Sequence, residues 1–281
     1  MPKPVVIVIT SHVVRGGVGG RASVFALERM GFPVWSLPTV ILPWHPGHGP
    51  STRIALDRAA FSGVVSDLSR SPALGGVGAV MTGYFDSATQ VEPAAELVAL
   101  VKARNPEAIY LCDPVIGDGD GLFRPEDIAV AIRDRLLPLA DIATPNRHEL
   151  MWLAGTRPED NETLAAAAAT LGPSEVVVTS AFAARDEIGL VLSEPGGAHV
   201  ATHAAFADVP HGTGDLFAAL YLAHCLNGAA PPAALERAAA ATLRLIERAV
   251  ELGADALPLI DGQDAFRASP QGVTVVRVPR R

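Results

Sequence analysis

Lysine is almost missing from this chain. Lys3 and Lys102 are the only two in 281 residues, and neither follows a glycine. A nucleotide-binding P-loop needs Gly-Lys-Ser/Thr, so that type of phosphate site is excluded. Cysteine is equally scarce. Cys112 and Cys225 each lie in an apolar run, which excludes a disulfide framework and predicts buried free thiols in a reducing compartment. Charged residues make up only 19% and the net charge is −8, so no broad nucleic-acid surface is expected. The N-terminal stretch MPKPVVIVIT is too short to cross a bilayer and lacks the layout of a signal peptide, which predicts a cytoplasmic protein without a membrane partner. There is no linker, charge run or repeat, and a single domain over residues 1–281 is expected.

What the chain does have is apolar residues, 49% of the total, arranged in short β-branched runs that alternate with helical stretches. PVVIVIT (from Pro4), PVWSLPTVIL, GAVMTGY, AIYLCDP, ADIAT and SEVVVTS read as strands. Pro38 argues for an irregular or edge position in the second of these. Helices are expected near Arg21 to Met30, Thr52 to Ser69, Glu92 to Arg104, from Pro125, from Arg147 to a stop at Gly155, from Leu164, and near Ala233 to Leu252. Glu187 to Ser193 and Ala198 to Ala204 read as a hairpin, and Gly272 to Val278 as a last strand. This alternation predicts an α/β fold with a mostly parallel central sheet covered by helices on both faces. Ligands of such sheets bind at the carboxyl ends of the strands. Ser11, His12, Thr82, Tyr84, Asp113, Thr144, Asn146, Thr179 and Ser180 are the polar residues expected there.

The stretch VPHGTGDLFAALYLAHCLNG contains a glycine-flanked turn, Gly212-Thr213-Gly214, then Asp215, then an apolar helix. Asp215 can cap that helix, since an acid near a helix start accepts backbone N–H bonds. The same turn can bind an anion on its free amides while Asp215 takes a proton. Other phosphate and metal motifs fail. GVGGRA (Gly17 to Ala22) has the G-x-G-x-x-A form, but it stands too far from the first strand and lacks the acid that should follow. GDGDG (Gly117 to Gly121) begins like a calcium loop, but the closing glutamate position holds Ala129. Asp113, Asp118 and Glu149 can instead hold Mg²⁺ directly or through water. Asp118 and Glu149 are expected to face the cleft and to serve the metal rather than the fold.

Together, SHVVRGGVGGRASVFALERMGF, MTGYF, LCDPVIGD, ADIATPNRHEL, VVVTS and GTGDLFAALYLA resemble, in order and spacing, the pyridoxal kinase family of the ribokinase-like superfamily. The resemblance implies transfer of the γ-phosphate of ATP to the 5′-hydroxymethyl group of a B6 vitamer. The runner-up acceptor is another hydroxymethyl heterocycle, such as hydroxymethylpyrimidine. It makes Asp215 the base and Gly212, Thr213 and Gly214 the anion hole. It places Asp113, Thr144 and Thr179 near the nucleotide and a monovalent cation, K⁺ or Na⁺. Asn146, Glu149 and Ser180 become nucleotide or metal-water contacts, with Asp118 and Glu149 at Mg²⁺. Ser11, Pro46, Gly47, Tyr84 and Asp215 become the substrate contacts. ATP, a B6 vitamer and a second copy of the chain are the implied partners.

The chain departs from the family pattern where it contacts substrate. Trp44-His45-Pro46-Gly47 replaces an Asn-His-Thr segment, and proline offers neither hydroxyl nor N–H. Gly17 stands where a tyrosine is usual, Gly20 where an asparagine is usual, and Phe123 where a lid tyrosine is usual. Trp44 and His48 are candidates for rebuilding the pocket.

Overall fold

The computed structural model describes residues 2–278. Twelve strands are present in the described residues: β1 (Val5–Val13), β2 (Val34–Leu42), β3 (Ile54–Ala55), β4 (Val77–Thr82), β5 (Ile109–Cys112), β6 (Gly117–Asp118), β7 (Gly121–Leu122), β8 (Ile142–Ala143), β9 (Glu175–Ala181), β10 (Glu187–Glu194), β11 (Gly197–Ala204) and β12 (Thr274–Arg277). Ten of them form one sheet in the order β12-β11-β10-β9-β8-β5-β4-β1-β2-β3. From β2 to β9 the neighbours run parallel, while β3 at one end and β10 to β12 at the other run antiparallel. This is the mostly parallel α/β sheet expected from the alternation, with the expected hairpin and last strand extending one end.

Among the described residues nine α-helices surround it: α1 (Gly20–Arg29), α2 (Arg58–Arg70), α3 (Ala88–Arg104), α4 (Glu126–Ala131), α5 (Arg147–Ala154), α6 (Asn161–Ala168), α7 (Thr213–Leu226), α8 (Pro231–Leu252) and α9 (Leu259–Gly262). Strand side chains alternate between faces. Ile7 and Ile9 of β1 therefore join the core with Phe61, Leu97 and Leu164, under α2, α3 and α6. Val6 and Val8 point the other way, to Leu27, Leu216 and Leu235 of α1, α7 and α8. Helix α7 is buried from Leu216 to His224, which explains its nearly unbroken apolar sequence.

Several boundaries differ from expectation for identifiable reasons. Strand β1 continues past Thr10 to Val13, so Ser11 and His12 lie within it. Pro38 pairs with Thr10 where the β1–β2 register shifts, which suits a residue with no N–H to give. The segment expected to turn helical at Thr52 first adds β3 to the sheet edge through Val40↔Ala55 and Ile41↔Ile54. The helix starts six residues later, where Asp57 accepts the Ala60 N–H at 2.8 Å. GDGDG is a two-stranded β-hairpin, β6 against β7. Both cysteines are free; Cys112 is buried as expected, but Cys225 is half-buried. No helix among the described residues is long and apolar enough to cross a membrane.

Candidate active site

The carboxyl ends of the parallel strands face one side, and the start of α7 joins them there. Gly212 precedes the helix in the left-handed region, φ 100°. A Cβ at Gly212 would lie 2.2 Å from the Gly17 carbonyl oxygen and 2.9 Å from the Val18 Cα. Only glycine lets the turn come this close to the segment after β1. That approach brings the Gly19 N–H within 2.9 Å of Asp215 Oδ2. Gly19 is itself held tightly, since a Cβ there would meet Ser11 Oγ at 2.4 Å. The GVGG segment, which fails as a dinucleotide fingerprint, thus positions Asp215. The first turn of α7 leaves the Thr213 and Gly214 amides without intrahelical acceptors, and open space surrounds the Gly214 Cα.

The turn separates two cavities. One, of about 410 Å³, is bounded by Gly212 and Asp215 together with Ser11, Pro46, Tyr84 and Asp118. The other, of about 110 Å³, is bounded by Thr213 and Gly214 together with Thr179, Ser180, His203 and Thr242. Ser180 holds φ 53°, unusual for a residue with a side chain. Among the candidate residues Gly47, Asp113, Thr144, Asn146 and Glu149 line neither cavity. A Cβ at Gly47 would lie 2.6 Å from His211 Nε2, so this glycine makes room for His211. Trp44 and His48 do not line the larger cavity either. The Trp44 indole donates to the Gly49 carbonyl at 3.2 Å and braces its own loop. His45 and His211 supply that wall instead, with rings stacked 3.9 Å apart. Burial pushes His45 down to about 4, and His211 is lowered for the same first reason.

Behind the turn lie the acids. Asp113 follows β5 and is buried, and its Oδ1 accepts the Thr144 hydroxyl at 3.0 Å. Burial, then Glu149, then Asp215 raise its pKa well above the usual carboxylate range. Asn146 caps α5, accepting the His148 and Glu149 N–H groups, and its amide donates to the Gly117 carbonyl at 2.7 Å. Glu149 corrects an expectation. It does not open to the cleft but is 4% exposed. Its Oε1 accepts the Ile116 and Gly117 N–H groups at 2.9 and 3.2 Å, and its Oε2 accepts that of Asn146 at 2.8 Å. Burial still raises it to about 7 against those three hydrogen bonds. Asp118, by contrast, is exposed at the cavity wall and accepts the Asp120 N–H at 2.9 Å. Asp215 is pushed up to about 6 by burial, opposed by the Gly19 N–H and its own. A carboxylate tuned toward neutrality, on the wall of the larger cavity beside free helix-start amides, can accept a proton from an alcohol while the amides hold an anion.

Sequence reasoning missed Arg53, Arg124 and His211, all of which line the larger cavity. His211 adjoins the GTGD turn and could have been found from that. The two arginines carry no local signal.

The family model for phosphomethylpyrimidine kinase matches residues 70–260. The chain is 34% identical over 282 residues to a pyridoxal kinase PdxY of Rubrobacter xylanophilus, covering 96% of both chains. It is 34% identical over 266 residues to a pyridoxal kinase PdxY of Corynebacterium diphtheriae, covering 92% of this chain and 94% of that one. Among solved structures it resembles the pyridoxal kinase of Leishmania donovani in complex with ADP and pyridoxamine. The TM-score is 0.90 and the identity 28%, with 98% of this chain and 100% of that one covered. Full-length similarity of this kind, on a ribokinase-like sheet whose strand ends meet a glycine-bounded turn, makes the chain a member of the pyridoxal kinase family.

Proposed function

We propose that this protein transfers the γ-phosphoryl group of ATP to the 5′-hydroxymethyl group of pyridoxal, pyridoxine or pyridoxamine. The observation that carries this reading is the division of space by the GTGD turn. Asp215 and Gly212 face the larger cavity, while Thr213 and Gly214 face the smaller one. An alcohol in the first and a nucleotide reaching in from the second would meet at the start of α7. Asp215 takes the hydroxyl proton as the alcohol oxygen bonds to the γ-phosphorus. The bond from that phosphorus to the β,γ-bridging oxygen breaks, and ADP leaves. The free amides of the turn support the charge on the transferred group. Thr179 and Ser180 border the nucleotide side. Ser11, Pro46 and Tyr84 border the acceptor. Thr10 Oγ1 accepts the Tyr84 N–H and Thr39 donates to its carbonyl, which fixes the Tyr84 backbone.

No group of three or more metal-ligating side chains is assembled among the described residues. Mg²⁺ carried on nucleotide phosphates would need only one or two protein carboxylates. Asp118 fits that part, as the acid at the cavity wall with an oxygen to spare. Mg²⁺ held there would supply charge neutralisation on the phosphates. Glu149 serves by holding the Ile116–Gly117 backbone that leads into Asp118. A K⁺ or Na⁺ ion held by the buried Asp113 and Thr144 would keep that carboxylate ionised. The same reading makes the chain one domain and a cytoplasmic homodimer.

ATP-dependent phosphorylation of the three B6 vitamers and of hydroxymethylpyrimidine tests the proposal. Turnover of the vitamers with the higher kcat/KM is expected. Turnover of hydroxymethylpyrimidine alone would overturn it.

A further inference from the structure

The wall of the larger cavity beside Tyr84 carries positive charge that its neighbours only partly cancel. Arg53 and Arg124 both line it. Their guanidinium carbons lie 5.7 and 5.8 Å from the centroid of the Tyr84 ring. Arg53 Nε donates to Asp86 Oδ1 at 2.6 Å, and Arg53 Nη2 donates to the Tyr84 hydroxyl. Arg124 Nη2 donates to the Asp86 carbonyl oxygen at 2.6 Å and lies 3.4 Å from Asp86 Oδ1. Two cations therefore share one carboxylate. Arg124 Nε is shut off from solvent and has no hydrogen-bond acceptor among the described residues. That atom is shut off from the cavity as well, but the Arg53 and Arg124 side chains stay 32% and 26% exposed, which leaves part of each cation open to a ligand.

The cavity's other acids do not cancel this charge. Asp215 accepts from Gly19 through Oδ2, and Asp118 from Asp120 through Oδ1. Neither forms an ion pair with the arginines. The cavity thus has a carboxylate where the alcohol reacts and a separate cationic wall. Pro46, also on the wall, offers no donor of its own.

We infer that Arg53 and Arg124 are the specificity element of the acceptor site: they bind an anionic oxygen on the substrate ring, and so select a hydroxypyridine over an aminopyrimidine. This rests on the function proposed above. A ring hydroxyl on a pyridine ionises readily because the ring nitrogen can hold the proton, leaving a phenolate-type oxygen that accepts from guanidinium N–H groups. An aminopyrimidine would set its own N–H donors against those of arginine and leave both sides unpaired. The three vitamers share the ring hydroxyl, so all of them satisfy the wall.

The test compares kcat/KM for pyridoxine and for its analogue with hydrogen in place of the ring hydroxyl, in the wild type, Arg124→Gln, Arg53→Gln and Arg124→Lys. The wild type should prefer pyridoxine by about tenfold or more, the scale of a hydrogen bond to a charged group. The preference should collapse toward unity in the glutamine variants, through KM rather than kcat. It should survive in part in Arg124→Lys, which keeps the charge. Thermal melts identify any variant that fails to fold, and two positions are probed so that one loss does not end the test. Equal use of both compounds by the wild type overturns the inference and leaves the proposed function standing. So does a preference unchanged in the folded glutamine variants. Phosphorylation of hydroxymethylpyrimidine with no turnover of any vitamer removes the proposed function and the inference together.

Discussion

The main-chain N–H of Gly19 donates to Oδ2 of Asp215 across 2.9 Å, joining residues 196 positions apart. This bond fixes the carboxylate at the border of the acceptor cavity, and it opposes the rise in pKa that burial imposes on Asp215.

Asp215→Asn keeps an oxygen for Gly19 but cannot take a proton. Its kcat should fall by about 10²–10⁴, with little change in ATP binding. The same change removes a desolvated charge, so the variant should melt about 2 °C higher near neutral pH. Steady-state kinetics and thermal melts on one preparation check both effects. Near wild-type turnover would rule out the assigned role.

The pH profile follows from Asp215 at about 6. The base works ionised, so kcat/KM should rise as pH increases through that value and level off above it. Stability should move the opposite way. An acid whose pKa is raised in the fold takes up protons on folding, and its contribution is lost as pH rises through the folded value. For Glu149 that window runs from 4.5 to about 7, and for Asp215 from 3.8 to about 6. His45 and His224, each pushed down to about 4 by burial, pull the other way, and so, weakly, do exposed acids paired with arginine such as Glu92 and Asp255. The acid contribution is therefore read by difference: without nucleotide, the melting gap between Asp215→Asn and the wild type should widen as pH rises from about 5 to about 8. MgATP should narrow the gap. A gap that stays flat or shrinks as pH rises across this range would contradict the burial of Asp215.

Glu149→Ala should destabilise the fold as well as impair catalysis. It strands the N–H groups of Ile116, Gly117 and Asn146. A loss of about 3 kcal/mol is expected, and Glu149→Gln should cost less because one oxygen can still accept. Denaturant unfolding measures both. An unchanged Glu149→Ala midpoint would mean that these bonds are not needed.

Gly212→Ala places a methyl group 2.2 Å from the Gly17 oxygen at φ 100°. The turn must move away from the Gly17–Gly19 segment, loosening the hold on Asp215. Stability should fall by more than about 2 kcal/mol. The kcat of the folded fraction should fall about a hundredfold. Gly214→Ala, with open space at its Cβ, should be far milder for stability, and comparing melts of the pair tests the packing argument directly.

Much of this was legible in the residues. The β-branched runs from Val5, Val77, Ile109 and Glu175 became strands, because short apolar runs between turn signals have few other stable uses. Asn146 with Glu149 is a capping box and Gly155 a left-handed stop, both written within single helical turns. The GTGD helix start was equally local, since its glycine, its acid and its apolar run are consecutive.

The sequence by itself therefore determined the α/β order, the start of α5 at Asn146 with its stop at Gly155, and the candidate base, all of which follow from contacts a few residues apart. It pointed to Glu149 but not to its burial, because the N–H groups that fill its Oε1 come from a loop 32 and 33 positions away. The tertiary structure alone decided that Gly19 would hold Asp215 and that His211 would stack on His45. It alone brought Arg53 and Arg124, from opposite sides of β4, over one tyrosine ring. Those relationships depend on which strands become neighbours in the sheet, and strand order is settled by packing two helical layers on one core, which no local period in the chain records.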